Sequence, residues 1–232
     1  MDAVGFRVRN KEKILQIDGQ YKNHALLQKV TLQPTNQVFG DNSLRYIDIP
    51  IPQSSTIPLL ALRCDFYCFY TMADASTYRI FTKRTPSTEA PPTVDVYIFG
   101  SPPATTASGG IGFRVRDQVT GAVVFDSNYK YLRVLGHYTN TSATPSSPIT
   151  FSGRKVALVQ GVRSYGAFKD RSGFVVIDAT YSGAMSTPSE SAAVYQYIRA
   201  RSFNLPWDGG SYPRYDYSSL SNSFMVIDVT NF

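Results

Sequence analysis

The chain predicts an all-β protein, built as two tandem β-sandwich-like units with long Ser/Thr/Pro/Gly-rich loops. Three observations lead there. Its aromatic content is carried by 16 Tyr and 14 Phe, set against only three Glu (Glu12, Glu89, Glu190). Tyr and Phe suit pleated, half-buried surfaces, whereas Glu favours helices. Apolar residues recur with a period of two over segment after segment, as a half-buried strand requires. Finally, part of the sequence occurs twice.

Gly5-Phe6-Arg7-Val8-Arg9-Asn10 returns as Gly112-Phe113-Arg114-Val115-Arg116-Asp117. Leu15-Gln16-Ile17-Asp18 is answered by Val123-Val124-Phe125-Asp126, and Tyr21-Lys22 by Tyr129-Lys130. The second copy needs one extra residue, in the turn around Thr120-Gly121. A match held at nearly constant offset over this length points to two related β-units, 1–104 and 111–232. Ser101–Gly110, rich in Pro, Ala, Thr, Ser and Gly, is the natural boundary between them.

Taken in order, the first unit reads as strands at Ile14–Asp18, Ala25–Leu32 and Leu44–Ile49. Leu60, Leu62, Cys64, Phe66, Cys68 and Tyr70 then alternate with more polar residues, which predicts one long strand with an apolar face. Tyr78–Lys83 and Val94–Phe99 complete the unit. The second unit continues with strands at Leu132–Leu135, Lys155–Gln160, Phe174–Asp178, Tyr195–Arg201 and Phe224–Val229. The best helix candidate, Glu190–Ala200, is too rich in β-branched and aromatic residues to prefer a helix. Thr85–Thr93, Thr139–Pro148, Ser182–Ser191 and Asp208–Ser223 have turn composition and are expected as loops. Sequence patterning leaves open whether the two units are separate domains or one joint structure.

The charge balance, 23 Lys+Arg against 17 Asp+Glu, is basic but scattered along strands, with no cationic run of the kind that binds nucleic acid. No stretch approaches the ~18 consecutive apolar residues of a membrane span, and Met1-Asp2-Ala3-Val4-Gly5 does not open like a secretion signal. Read as one strand, Cys64–Cys68 puts both thiols on one face with Cα atoms about 13 Å apart at ~3.3 Å per residue. That is too far for a bridge, so both are expected as buried free thiols, in keeping with a reducing cytoplasm.

Catalytic constellations are hard to assemble from these residues. A Ser or Cys nucleophile needs a base, and the two His, His24 and His137, have no motif partner nearby. Cys64 and Cys68 lack the spacing of a zinc site, and neither a phosphate loop nor a dinucleotide fingerprint is present. Four apolar runs close on Asp (Asp18, Asp126, Asp178, Asp228). These are read as strand stops that bond the following turn, because no second acid accompanies them. No catalytic residue, metal or cofactor is expected.

One segment reads as a contact surface. Phe203–Tyr217 holds the only Trp, three Tyr and an Arg in a stretch broken by Gly and Pro. Trp207, Tyr212, Arg214, Tyr215 and Tyr217 are therefore the candidate contacts for a partner or receptor, since such rings stack on sugars or anchor protein interfaces. A weaker candidate is the aromatic face Tyr67, Phe69, Tyr78, Phe81.

Gly5-Phe6-Arg7-Val8-Arg9-Asn10 close behind Met1, then Leu15-Gln16-Ile17-Asp18 and Tyr21-Lys22-Asn23, resembles the opening of small proteins of siphophage tail modules, encoded near the central tail-tip protein. The likeness covers roughly residues 1–30 and is echoed in the Phe-x-Val-Ile-Asp strand endings. It implies a virion structural protein of the tail tip or its fibres, assembled in the host cytoplasm. It also implies multiple copies, such as a trimer, with other tail proteins and a host surface receptor as partners. It carries over no catalytic residue. The rival expectation is a carbohydrate-binding β-sandwich module acting on host surface glycans.

Overall fold

The repeated sequence forms the same hairpin twice. In the computed structural model, which describes residues 7–9, 15–18, 23–38, 41–54, 56–83, 90, 92–102, 112–117, 119–140, 146–163, 165–172, 175–206, 215–219 and 221–232, Arg7–Arg9 (β1) pairs with Leu15–Asp18 (β2). Arg7 stands opposite Asp18 and a bulge follows Val8. The first unit continues with β3 (Ala25–Leu32), β4 (Asn36–Val38), β5 (Asp41–Pro50), β6 (Leu59–Arg63), β7 (Cys68–Asp74), β8 (Thr77–Lys83) and β9 (Val94–Gly100). In the second unit β10 (Arg114–Arg116) pairs with β11 (Val123–Asp126), Arg114 opposite Asp126, with a bulge after Val115. The turn between them is closed by the Gly121 amide donating to the Asp117 carbonyl at 2.9 Å. The Asp117 carboxylate accepts from the amides of Val119 and Thr120. Gly121 sits at φ 68°, a conformation that costs a residue with a Cβ, so this position of the longer turn is a glycine for a steric reason.

The remaining strands are β12 (Val134–Asn140), β13 (Ile149–Thr150), β14 (Val156–Gln160), β15 (Tyr165–Ser172), β16 (Val175–Ser189), β17 (Ala192–Pro206), β18 (Tyr215–Ser219) and β19 (Asn222–Asp228). The protein is all-β, and every pairing between these strands is antiparallel.

Two sheets carry the fold. One has six strands in the order β12-β19-β14-β6-β9-β3; the other has nine, with β13-β17-β16-β7-β8-β5-β4 as its main path, β15 beside β16 and β18 beside β15. Each unit supplies an outer, a middle and a central strand to the first sheet. The two units meet where β6 pairs with β14 and, in the second sheet, where β7 pairs with β16. One register row runs Val30–Val96–Leu62–Leu158–Val226–Gly136 through both units. The segments on either side of Ser101–Gly110 therefore form one joint structure of two related halves, joined edge to edge.

Between the sheets, Leu60, Leu62, Val94, Val96 and Ile98 pack on Ile49, Tyr78 and Ile80 in the first half. In the second half, Val156, Leu158, Phe224 and Val226 pack on Met185, Ala193 and Tyr195. The six-stranded sheet is apolar on its other face too, where Ala61, Tyr97, Phe99, Ala157, Val159, Ile227 and Val229 gather. A sheet covered on both faces needs nearly continuous apolar strands, which explains Val-Asp-Val-Tyr-Ile-Phe and Val-Ala-Leu-Val. Burial pushes the Tyr97 hydroxyl up to about 12.

Several expectations are corrected. Cys64–Cys68 is not part of one strand: β6 ends at Arg63 in one sheet and β7 begins at Cys68 in the other, so the chain crosses between layers there. The crossing is clamped by Thr187, whose amide donates to the Cys64 carbonyl at 2.7 Å and whose hydroxyl accepts from the Cys64 amide at 3.0 Å. Both cysteines are free and buried. The hydrogen bond to Cys64, together with burial, pushes the Cys68 thiol well up. Iodoacetamide is expected to leave both thiols unmodified in the native protein and to label both after unfolding, read by intact mass. Rapid native labelling of either would contradict this packing.

Ser182–Ser191 is strand rather than loop up to Ser189, because β16 and β17 form a long hairpin in which Ala184 and Ala193 are fully buried. Tyr215–Ser219, expected in a loop, is β18. Asp178 lies inside β16 between Lys169 and Phe203, so it ends no strand. The proposed aromatic face divides between two layers. Phe69 and Phe81 stack at 4.7 Å with Tyr67 beside them, whereas Tyr78 turns inward, meets Tyr70 edge-on and donates to the Pro58 carbonyl at 2.6 Å. Alternation along β8 forces that split.

Candidate functional site

The second copy of the repeat lines a cavity among the described residues. Its foundation is Asp126, the last residue of β11. The Arg114 guanidinium donates to Asp126 Oδ2 through Nε at 2.8 Å and Nη2 at 2.6 Å, and the Asn128 amide donates to Oδ1 at 3.0 Å. This is the strand stop the sequence suggested, made rigid by a charge-assisted pair. The Asp126 amide donates to the Tyr131 hydroxyl at 2.5 Å, which folds Tyr131 back until its ring stacks on Phe125 at 4.7 Å and 17°. Burial pushes the Tyr131 phenol up.

The segment after that turn pairs antiparallel with the start of β3. Leu26 donates its amide to Lys130, Leu132 donates to His24, and Ala25 and Tyr131 form a bridge. The segment that follows the second hairpin therefore pairs with the one that follows the first, over the outer face of the six-stranded sheet. Leu132 and Phe232 pack on that face.

The cavity between these pieces has a volume of about 450 Å³. Its apolar walls are Phe125, Tyr131 and Phe232; its polar groups are the amides of Asn23 and Asn231 and the cations Lys130 and Arg133. The Lys130 ammonium lies 5.6 Å and the Arg133 guanidinium 5.3 Å from the Phe232 ring centre. Lys130 donates to the Asn231 carbonyl. Behind Arg133 sits Asp228, whose Oδ1 accepts from the Thr230 amide at 2.9 Å. Asp228 Oδ2 is held by Arg154 at 2.9 Å and approached by Arg133 at 3.6 Å. Asp228 is thus a second strand stop and an anchor for the cavity rim.

Both anchoring carboxyls are held below the ordinary carboxylate range. At Asp126 the Asn128 amide contributes most, with Arg114 adding to it against burial. At Asp228 burial pushes upward, but the Thr230 hydroxyl and amide, with Arg133 and Arg154, outweigh it. A carboxyl depressed in the folded state stabilises the fold above its unfolded value, near ~3.9, and that contribution is lost as pH falls through the folded value. The melting temperature should therefore hold between pH 7 and 5 and fall from about pH 4 downward. Asp126→Asn should shallow that fall; identical pH profiles for the variant and the parent would contradict the assignment.

The residues singled out from sequence lie elsewhere. Trp207, Tyr212 and Arg214 fall outside the described residues. Tyr215 and Tyr217 are brought into β18, in register with Lys169 and Ala167 of β15. Glu190 is an exposed turn residue 3.7 Å from Lys155 and 3.9 Å from Arg63. Burial lowers the His24 pKa, and the residue belongs to the paired segments. Sequence reasoning passed over Asn23, Phe125, Tyr131, Arg133, Asn231 and Phe232. The available signal was the repeated Tyr-Lys after each Asp, which marks a conserved position in the duplication but not a cavity. Comparisons with protein families, with curated proteins and with solved structures found no match to this chain.

Proposed function

We propose that this chain is a non-enzymatic structural protein of a phage virion, placed at the tail tip or its fibres, where it binds other tail proteins and contacts the host surface. The observation that carries the reading is the repeated hairpin. The segment through which the chain resembles tail-module proteins forms a defined unit, used twice with the same register and the same bulge. A duplicated, edge-joined β scaffold suits a part that must hold its shape inside an assembly. β18, which pairs with β15 alone among the described strands, offers a further edge to which a partner strand can add.

Purified virions test this directly. The protein is expected as a stoichiometric component, with labelled antibody at the tail tip; its absence from particles would overturn the reading. Trp207→Ala with Tyr215→Ala is expected to reduce host adsorption while particles still assemble. Normal adsorption with failed assembly would reassign that segment to contacts within the particle.

A second reading, a carbohydrate-binding module working as a soluble monomer, is favoured by the aromatic and cationic cavity beside Phe125 and Tyr131. A monodisperse monomer that binds a defined glycan and does not associate with tail proteins would favour it.

A further inference from the structure

We propose that the cavity between β11, the linker 130–133 and Asn231-Phe232 is a binding subsite for a carboxylate-bearing sugar residue of a glycan. The inference deepens the host-surface part of the function proposed above, and it rests on the cavity rather than on the particle assignment.

Three features select this ligand class. First, the space is of ligand size, at about 450 Å³, within the ~300–1,000 Å³ usual for small-molecule sites. Second, its walls are half-buried rings. Phe125 and Tyr131 are fixed by their mutual stacking and by the Asp126 amide, so their exposed surfaces are preorganised for the apolar face of a pyranose. Asn23 and Asn231 line the same cavity, where hydroxyl groups need donors and acceptors, although Asn23 Nδ2 also donates to the Val124 carbonyl at 3.4 Å. Third, the side chains of the described lining residues carry two cations and no carboxylate, and the main-chain oxygen of Phe232 already accepts from Lys29 Nζ at 2.8 Å. Of the two anchoring acids, Asp126 is taken up by Arg114 and Asn128, and Asp228 is engaged by Arg154 and Thr230 at 2.9 Å and less closely by Arg133, at 3.6 Å. Arg133, 42% exposed, therefore keeps donors for a ligand, and Lys130 uses only one of its three on Asn231.

A carboxylate fits better than a phosphate. Phosphate sites are commonly built from several converging backbone amides, and here the amides of Leu26 and Leu132 are spent on pairing the two linkers. What is left is side-chain charge on one side of a ring-lined space, matched to a single planar anion carried on a sugar.

The test uses the full chain, a short oligogalacturonate, and a neutral galacto-oligosaccharide of equal length, followed by NMR shift mapping and titration calorimetry. Wild-type protein is expected to bind the acidic oligomer with shifts centred on Phe125, Tyr131 and Phe232, and the neutral one at least about tenfold more weakly. Arg133→Gln should weaken acidic binding by about tenfold and narrow the gap between the two oligomers, with Lys130→Gln acting in the same direction. Arg154 keeps Asp228 paired in the Arg133→Gln variant, and a matching melting temperature verifies its fold. Equal affinity for the two oligomers, shifts confined to another surface, or no binding at millimolar concentration would each overturn the subsite. None of these outcomes bears on whether the protein is found in virions, so the two proposals fail separately.

Discussion

Leu62→Ala is expected to destabilise the whole molecule by about 3 kcal/mol, and Leu158→Ala by a similar amount. Both side chains are 1% exposed, and they face each other across the β6–β14 pair where the two halves meet. Neither site can refill easily, because the row continues through Val96 and Val226 in fixed register. For a chain of this size the loss corresponds to a melting temperature lower by roughly 6–12 °C. The form of the transition matters as much as its midpoint. A sheet shared by both halves should unfold as one, so each variant should shift a single transition seen by calorimetry and by tyrosine fluorescence. The double variant should cost less than the sum of the two, since one cavity serves both truncations. Two resolved transitions, only one of them moved by Leu62→Ala, would show that the halves fold independently and that β6–β14 is a weak seam.

Phe224→Ala should cost about 4 kcal/mol. The Phe224 ring is 2% exposed and lies between two others: Tyr138, its register partner on β12, at 5.5 Å, and Tyr195 of the opposite sheet at 6.1 Å and nearly parallel. Truncation removes burial and two ring contacts at once, each worth roughly 0.5–1.5 kcal/mol beyond area. Phe224→Leu keeps most of the volume and should recover more than half of the loss, so the pair of variants separates filling from stacking. Chemical denaturation with an unchanged slope is the appropriate measurement. A cost for Phe224→Ala below about 1 kcal/mol would mean that the two sheets are not packed together through this ring.

Much of the fold was legible because its signals are local. Alternation along Tyr78–Lys83 and the β-branched and aromatic runs of Val94–Phe99 and Phe224–Val229 depend only on each residue's immediate neighbours, and those strands lie close to their expected positions. The hairpin repeat was legible for the same reason, down to the turn at Thr120-Gly121. Misreadings came where composition spoke for structure. Ser182–Ser191 has the residues of a loop, but small side chains such as Ala184 are what a buried strand of a tight hairpin needs. Cys64–Cys68 alternates like a strand, yet the chain leaves one sheet there and enters the other, a choice made by Thr187, more than a hundred residues away.

The candidate cavity was not legible at all. It draws on Asn23, on Phe125–Arg133 and on Asn231-Phe232, three stretches with no motif spacing between them. Its ring geometry depends on one hydrogen bond, from the Asp126 amide to the Tyr131 hydroxyl.

By itself, then, the sequence determined that this is an all-β protein, that one hairpin is used twice, and where several of the strands lie, because backbone conformation and amphipathic periodicity are decided within a few residues. Only the tertiary structure decided that the halves share two sheets, that Leu62 meets Leu158, and that the segments after the two hairpins pair beside a cationic, ring-lined cavity. Strand pairing and cavity formation depend on which distant edges and faces exclude water together. That free energy belongs to the folded whole and to no stretch of the chain read alone.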